Sequence, residues 1–163
     1  MRTRWTVAVL SMLSGCALSV WAGEGLPADV RAALKEAGAF QARGAVGAIP
    51  VAVRAAFAKA AGGESFEMAE PGAPWQVSCV IATPPGKTPL PARRLVKVFL
   101  SKSFCILFYE RGGVARTNHV AIFRLTQGDA TLAWRAYVPQ SAGDPAGLLT
   151  AVEKGQIHPP YDL

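Results

Sequence analysis

Residues 103–113 read Ser-Phe-Cys-Ile-Leu-Phe-Tyr-Glu-Arg-Gly-Gly, a run of strand-favouring residues that ends in a charged glycine turn. Successive side chains of a β-strand point to opposite faces of the sheet. Both faces of this run are apolar: Phe104, Ile106 and Phe108 lie on one, and Cys105, Leu107 and Tyr109 on the other. A strand that is apolar on both faces is typical of a covered sheet, so the run is predicted to be a central strand.

Four other segments have the composition of strands. They are residues 75–82, 93–101, 117–126 and 131–138. The turns that separate the last four of the five strands are short, so these strands are predicted to be antiparallel neighbours.

Three segments are predicted to be helices, and the alanine- and glycine-rich residues 41–47 a loop. The helical segments are residues 26–38, 49–61 and 144–154. Each has a proline in its first turn and glycine at or just past its end, which is the usual asymmetry of helix boundaries. The sequence therefore predicts an α+β fold, with helices packed on one face of a mainly antiparallel sheet of about five strands.

The chain of 163 residues is expected to contain a single domain. Residues 23–163 would form it, after an export segment at residues 1–22. Its parts would be a helical region at 26–62, a sheet region at 75–139 and a C-terminal helix at 144–154.

The first 22 residues have the three parts of a secretory signal. Arg2 and Arg4 supply the positive start, residues 6–20 are apolar, and residues 20–22 present small side chains at the positions that a signal peptidase reads. Cleavage there would make the protein periplasmic or secreted.

A second interpretation of the same segment remains open. Residues 13–16 read Leu-Ser-Gly-Cys, which resembles the lipobox of bacterial lipoproteins and makes Cys16 a candidate for lipidation. The protein would then be anchored by lipid in the envelope, and contact with a membrane is expected only in that case.

Cys79 and Cys105 are an even pair in a chain expected to meet an oxidising compartment, so they are predicted to form a disulfide. The bond would require strand 75–82 to lie beside strand 104–110 or to pack across from it, because bridged Cα atoms lie within about 7 Å of each other. The alternative is two free thiols that pack as small apolar side chains.

Positive charge is concentrated in the sheet region. Residues 80–140 hold nine basic residues against two acidic ones, a balance of +7, whereas the whole chain carries +6. A basic field attracts anionic partners and guides their association. The residues expected to bind such a partner are Arg93, Arg94, Lys97, Arg111 and Arg116. The plainer interpretation is a solvated strand face whose charges discourage aggregation.

Glu110 and His119 are the candidates for a catalytic pair. They lie on consecutive strands joined by one turn, and a carboxyl and an imidazole within reach of each other can act as acid and base.

Other kinds of site have little support. Two histidines and a pair of cysteines expected to be oxidised do not make a zinc site, so no metal and no cofactor are expected. The serines lack a nucleophile elbow, and Gly112-Gly113 lacks the order of a phosphate-binding loop. Export excludes nucleic acid as a partner.

The sequence thus favours a small exported envelope protein without catalytic activity, which binds an acidic protein, a glycan or a lipid head group as an inhibitor, immunity or accessory protein. A hydrolytic enzyme that uses Glu110 and His119 is one alternative. A structural envelope component that associates with itself is another. The sequence leaves the oligomeric state open.

Overall fold

The computed structural model of the chain describes residues 25–36, 39–63, 65–79 and 88–158. The predicted export segment with Cys16 lies outside the described residues, as does most of the proline-rich stretch that precedes Arg93. The helices of the described part are α1 (Ala28–Lys35), α2 (Val51–Ala60) and α3 (Pro145–Glu153). The strands are β1 (Gln41–Arg43), β2 (Arg93–Leu100), β3 (Phe104–Arg111), β4 (Thr117–Thr126) and β5 (Asp129–Tyr137).

The five strands form one antiparallel sheet in the order β1-β2-β3-β4-β5. β3 is its central strand, and every residue from Phe104 to Glu110 is buried. The predicted α+β class and the antiparallel sheet of about five strands are therefore confirmed.

The helices lie on both faces of this sheet. α1 and α3 pack on the face formed by Phe104, Ile106 and Phe108. α2 packs on the opposite face, against Leu107 and Tyr109. The layering thus differs from the expected single helical face, because β3 is apolar on both sides and each side is covered.

The fifth strand is not the segment that was expected. Residues 75–82 were predicted to be a strand, but the described residues 75–79 make only an isolated bridge, between Ser78 and Gly113. The sheet is completed by β1, within a stretch predicted to be a loop, where Ala42 pairs with Phe99. All three residues of β1 are exposed, so no apolar pattern identifies it as a strand.

Residues 75–79 cross the ends of β2 and β3. The Gln76 amide donates to the Pro91 carbonyl at 3.0 Å, and the Cys79 amide donates to the Gly113 carbonyl at 3.0 Å. A Cβ at Gly112 would lie 2.0 Å from the Gln76 carbonyl oxygen, so only glycine fits beneath this crossing.

The predicted disulfide is absent: Cys79 and Cys105 are free thiols. Cys79 lies beyond the end of β3, next to Gly113, whereas Cys105 is the second residue of β3 and pairs with Leu100 and Phe123. The strand from Cys105 to Arg111 is itself ~20 Å long at ~3.3 Å per residue, which is far more than a disulfide can span.

α3 begins at a cap of the predicted kind. The Asp144 carboxylate accepts a hydrogen bond from the Gly147 amide at 2.8 Å, and Pro145 occupies the first helical position. No helix within the described ranges is long and apolar enough to cross a membrane.

Candidate functional site

Four strand ends meet at one end of the sheet. Because neighbouring strands are antiparallel, β2 and β4 begin where β3 and β5 finish. We call this the basic end and define it by Arg93, Arg94, Arg111 and Arg116 around Glu110. Lys97 lies further along β2, opposite Phe108.

Glu110 is a buried carboxylate held by two guanidinium groups. Arg94, its cross-strand partner on β2, donates from Nε to Glu110 Oε2 at 2.7 Å and also from Nη2 to the same oxygen. Arg116, in the turn between β3 and β4, donates from Nη2 to Oε1. A buried carboxylate without such partners would be costly, so the three residues form one unit.

This unit keeps a net charge of +1 and remains in contact with solvent. The side chain of Arg94 is 25% exposed and that of Arg116 is 50% exposed. The Arg94 guanidinium also lies over the ring of Trp75, 5.0 Å from its centroid, and this second contact further limits its freedom. The two arginines are therefore held in place before any partner arrives.

The five residues predicted to bind a partner divide between the two faces of the sheet. Arg94 and Lys97 share the Glu110 face, as their register opposite Glu110 and Phe108 shows. Arg93 and Arg111 pair with each other on the α2 face, where the Arg93 guanidinium lies 5.6 Å from the centroid of the Phe57 ring. The structure thus places Arg94 beside Arg116 through Glu110, but it does not make one flat basic surface.

A β-bulge in β2 sets this arrangement. The pairing between β2 and β3 shifts between Leu95 and Lys97, so that Val96 is an extra residue and is exposed. Without the extra residue, the side chains of Lys97 and Phe99 would point to the α2 face of the sheet instead of the Glu110 face.

Glu110 and His119 do not meet as a catalytic pair. Glu110 pairs with Asn118, whereas His119 pairs with Tyr109, so the two side chains leave opposite faces of the sheet. The buried His119 ring stacks on the Tyr109 ring at 5.0 Å, and its Nε2 lies 2.7 Å from Thr117 Oγ1.

A shallow pocket lies beside Glu110 on the α1–α3 face. Its volume is ≈ 70 Å³, and its lining includes Val96, Phe108, Asn118 and Val138. Sites for drug-sized ligands usually measure about 300 to 1,000 Å³, so this one could hold a few water molecules or a very small group.

A group of exposed apolar side chains at the basic end was not predicted from the sequence. Val114 is 97% exposed, Val77 48% and Leu90 49%. Val114 could have been noticed in the sequence, because it is a β-branched residue directly after Gly112-Gly113, where turns favour small or polar residues.

Three described groups outside the basic end, Cys105, Asp29 and Arg124, have shifted pKa values, and hydrogen bonding to Asp29 raises the pKa of Arg124. Burial raises the pKa of the Cys105 thiol to about 12, so this thiol is not a nucleophile at neutral pH. The Arg124 guanidinium donates to the Asp29 carboxylate at 2.7 and 2.9 Å, and this hydrogen bonding lowers the pKa of Asp29. Within the described ranges, no three histidine, cysteine, aspartate or glutamate residues are grouped as metal ligands.

The chain was compared with known protein families, curated proteins and solved structures. No protein-family model, no curated protein and no solved structure matches the chain.

Proposed function

We propose that this chain is an exported, non-catalytic binding protein that holds an anionic partner at its basic end. The observation that carries the proposal is the Arg94–Glu110–Arg116 unit, in which a buried carboxylate fixes two partly exposed guanidinium groups. Fixed guanidinium groups lose little conformational entropy when they bind carboxylate, sulfate or phosphate. An acidic protein, an acidic glycan and a lipid head group all present such anions.

The charge of the surroundings supports the proposal. Arg93 and Arg111 lie at the same end on the α2 face, and Lys97 is exposed on the Glu110 face. A partner that approaches this end would meet a positive field from several directions, which speeds association and makes it sensitive to salt.

Arg116→Gln tests the proposal with little risk to the fold. Glutamine removes the charge but keeps a donor for Glu110, and Arg116 is the more exposed of the two arginines. The matched control is Lys102→Gln, which removes one charge from the exposed turn at the opposite end of the sheet.

The measurement is a titration of each variant with poly-glutamate, an acidic polysaccharide and vesicles of phosphatidylglycerol, over a series of salt concentrations. We expect the unsubstituted protein to bind at least one probe, Arg116→Gln to bind it about fivefold more weakly and with a smaller dependence on salt, and Lys102→Gln to match the unsubstituted protein. Equal losses in the two variants, or no binding to any probe, would reject the proposal.

The other two functions remain alternatives with less support. A hydrolase would need Glu110 and His119 to act together on one substrate, but their side chains lie on opposite faces of the sheet. Self-association would use an exposed edge strand of the sheet. β5 is one edge strand, and His158 already pairs with it at Tyr137, which covers part of this edge.

A further inference from the structure

Three residues with exposed apolar side chains lie at the basic end, on three segments of the chain that backbone hydrogen bonds join. The Gly113 amide donates to the Val77 carbonyl at 3.2 Å, and Val114 is the next residue. The Gln76 amide donates to the carbonyl of Pro91, which follows Leu90. These hydrogen bonds place Val77, Leu90 and Val114 in neighbouring positions, which we call the apolar tip.

The apolar tip is unusual for this molecule. Among the described residues, the large apolar side chains that are well exposed are Val51, Val77, Leu90, Val96 and Val114, and three of these five belong to the tip. Scattered exposed apolar residues need no explanation, but a group at one end of the sheet indicates a surface that is covered by something else.

Cations surround the tip. Arg111 and Arg116 flank Val114 along the chain, and Arg94 lies next to Arg116 through Glu110. Glu110, the carboxylate among these arginines, is paired with Arg94 and Arg116.

The backbone at the base of the tip is closely packed. Residues 76 and 77 cross directly over Gly112, in a contact so close that a methyl group would not fit. Close packing of the backbone limits the conformational entropy that these segments lose when the tip binds.

We propose that the apolar tip inserts into the interface of a bilayer that carries anionic phospholipids, while the arginines around it bind the lipid phosphates. Val114 is 97% exposed, and a folded protein partner would need a matching cavity to bury such a side chain. A fluid bilayer needs none, because apolar side chains pass below its head groups and cations remain at phosphate level. This inference rests on the proposed function, because the lipid phosphates would be the anionic partner.

The test is co-sedimentation with vesicles of phosphatidylcholine alone and of phosphatidylcholine mixed with phosphatidylglycerol. The protein is purified after export, and every variant carries Cys16→Ser so that no acyl chain contributes to binding. Val114→Ser removes the most exposed apolar side chain of the tip. The matched control is Val51→Ser, since Val51 is 73% exposed at the start of α2 and lies outside the tip.

We expect binding to the mixed vesicles and little binding to phosphatidylcholine alone. Val114→Ser should lower the partition coefficient for mixed vesicles about tenfold, and Val51→Ser should leave it unchanged. High salt should weaken the binding of all variants.

Three results would overturn the inference. They are equal binding by Val114→Ser and the unsubstituted protein, equal binding to the two kinds of vesicle, and no binding to mixed vesicles by a protein that binds poly-glutamate or the polysaccharide. The last result would leave the proposed function intact. A protein that binds neither the vesicles nor the soluble polyanions would reject both.

Discussion

Glu110 acts as an internal counter-ion at the basic end. It accepts from Arg94 and Arg116, and these two guanidinium groups would repel each other at such short range if the carboxylate were absent. A residue that resembles a catalytic acid in the sequence thus serves to hold two cations close together. Replacing it would disturb both the fold and the surface, which is why Arg116 is the better site for a test.

The two described cysteines should differ sharply in reactivity. Cys79 is exposed, whereas Cys105 is buried in β3 and its pKa is raised to about 12. Brief alkylation of the native protein at neutral pH, followed by peptide mapping, should modify Cys79 and leave Cys105 intact until denaturant is added. Recovery of a peptide pair that joins Cys79 to Cys105 before reduction would contradict the free-thiol arrangement.

At the scale of a secondary-structure element, α1 depends on its contacts. It has eight residues, too few for a helix that is stable alone, and it is held by the buried side chains of Val30 and Leu34. The Asp29 carboxylate adds an ion pair with Arg124 of β4, which ties the first turn of the helix to the sheet.

The contribution of this ion pair to stability should disappear in acid. Hydrogen bonding from Arg124 lowers the pKa of Asp29 in the folded state below its ordinary value of 3.8. A lowered folded pKa gives stability that is present above the unfolded pKa and is lost as the pH falls through the folded value. Both side chains are well exposed, so the contribution is only about 0.5 kcal/mol.

Arg124→Gln tests this point. Its free energy of unfolding should lie about 0.5 kcal/mol below that of the unsubstituted protein at pH 6, and the difference should shrink as the pH falls below the ordinary Asp29 pKa of 3.8 and vanish once Asp29 is protonated in the folded state. Lys35→Gln, on the exposed side of the same helix, serves as the control. A difference that stays constant from pH 6 to pH 2 would mean that Arg124 acts through packing and not through its charge.

Across the whole molecule, the sequence predicted the antiparallel pairing of the last four strands better than the layering of the helices or the geometry of the site. The two apolar faces of β3 and the short turns around it were enough for the antiparallel order from β2 to β5. β1 was not predicted because all three residues of Gln41–Arg43 are exposed. A strand that joins the sheet through its backbone pairing needs no alternation of apolar and polar residues, so its sequence does not identify it.

The site depended on details of register that a sequence does not reveal. Whether Glu110 and His119 share a face depends on the number of residues in the turn, and a change of one residue reverses the answer. The contact between Glu110 and Arg94 joins strands that are themselves offset by the bulge at Val96. The basic residues could therefore be named from the sequence, but their division between two faces could not.

The order of the strands also has a consequence for folding. β2 to β5 follow one another directly along the chain, so their contacts form at low contact order, whereas β1 ends at Arg43 and must find a strand that begins at Arg93. Among the strand residues, we expect the Leu107 amide to be the most protected from native-state hydrogen exchange and the Ala42 amide the least protected. Equal protection of these two amides would contradict this order. When β1 detaches, the edge of β2 at Val98 is uncovered, and each such opening exposes a strand edge that can nucleate aggregation.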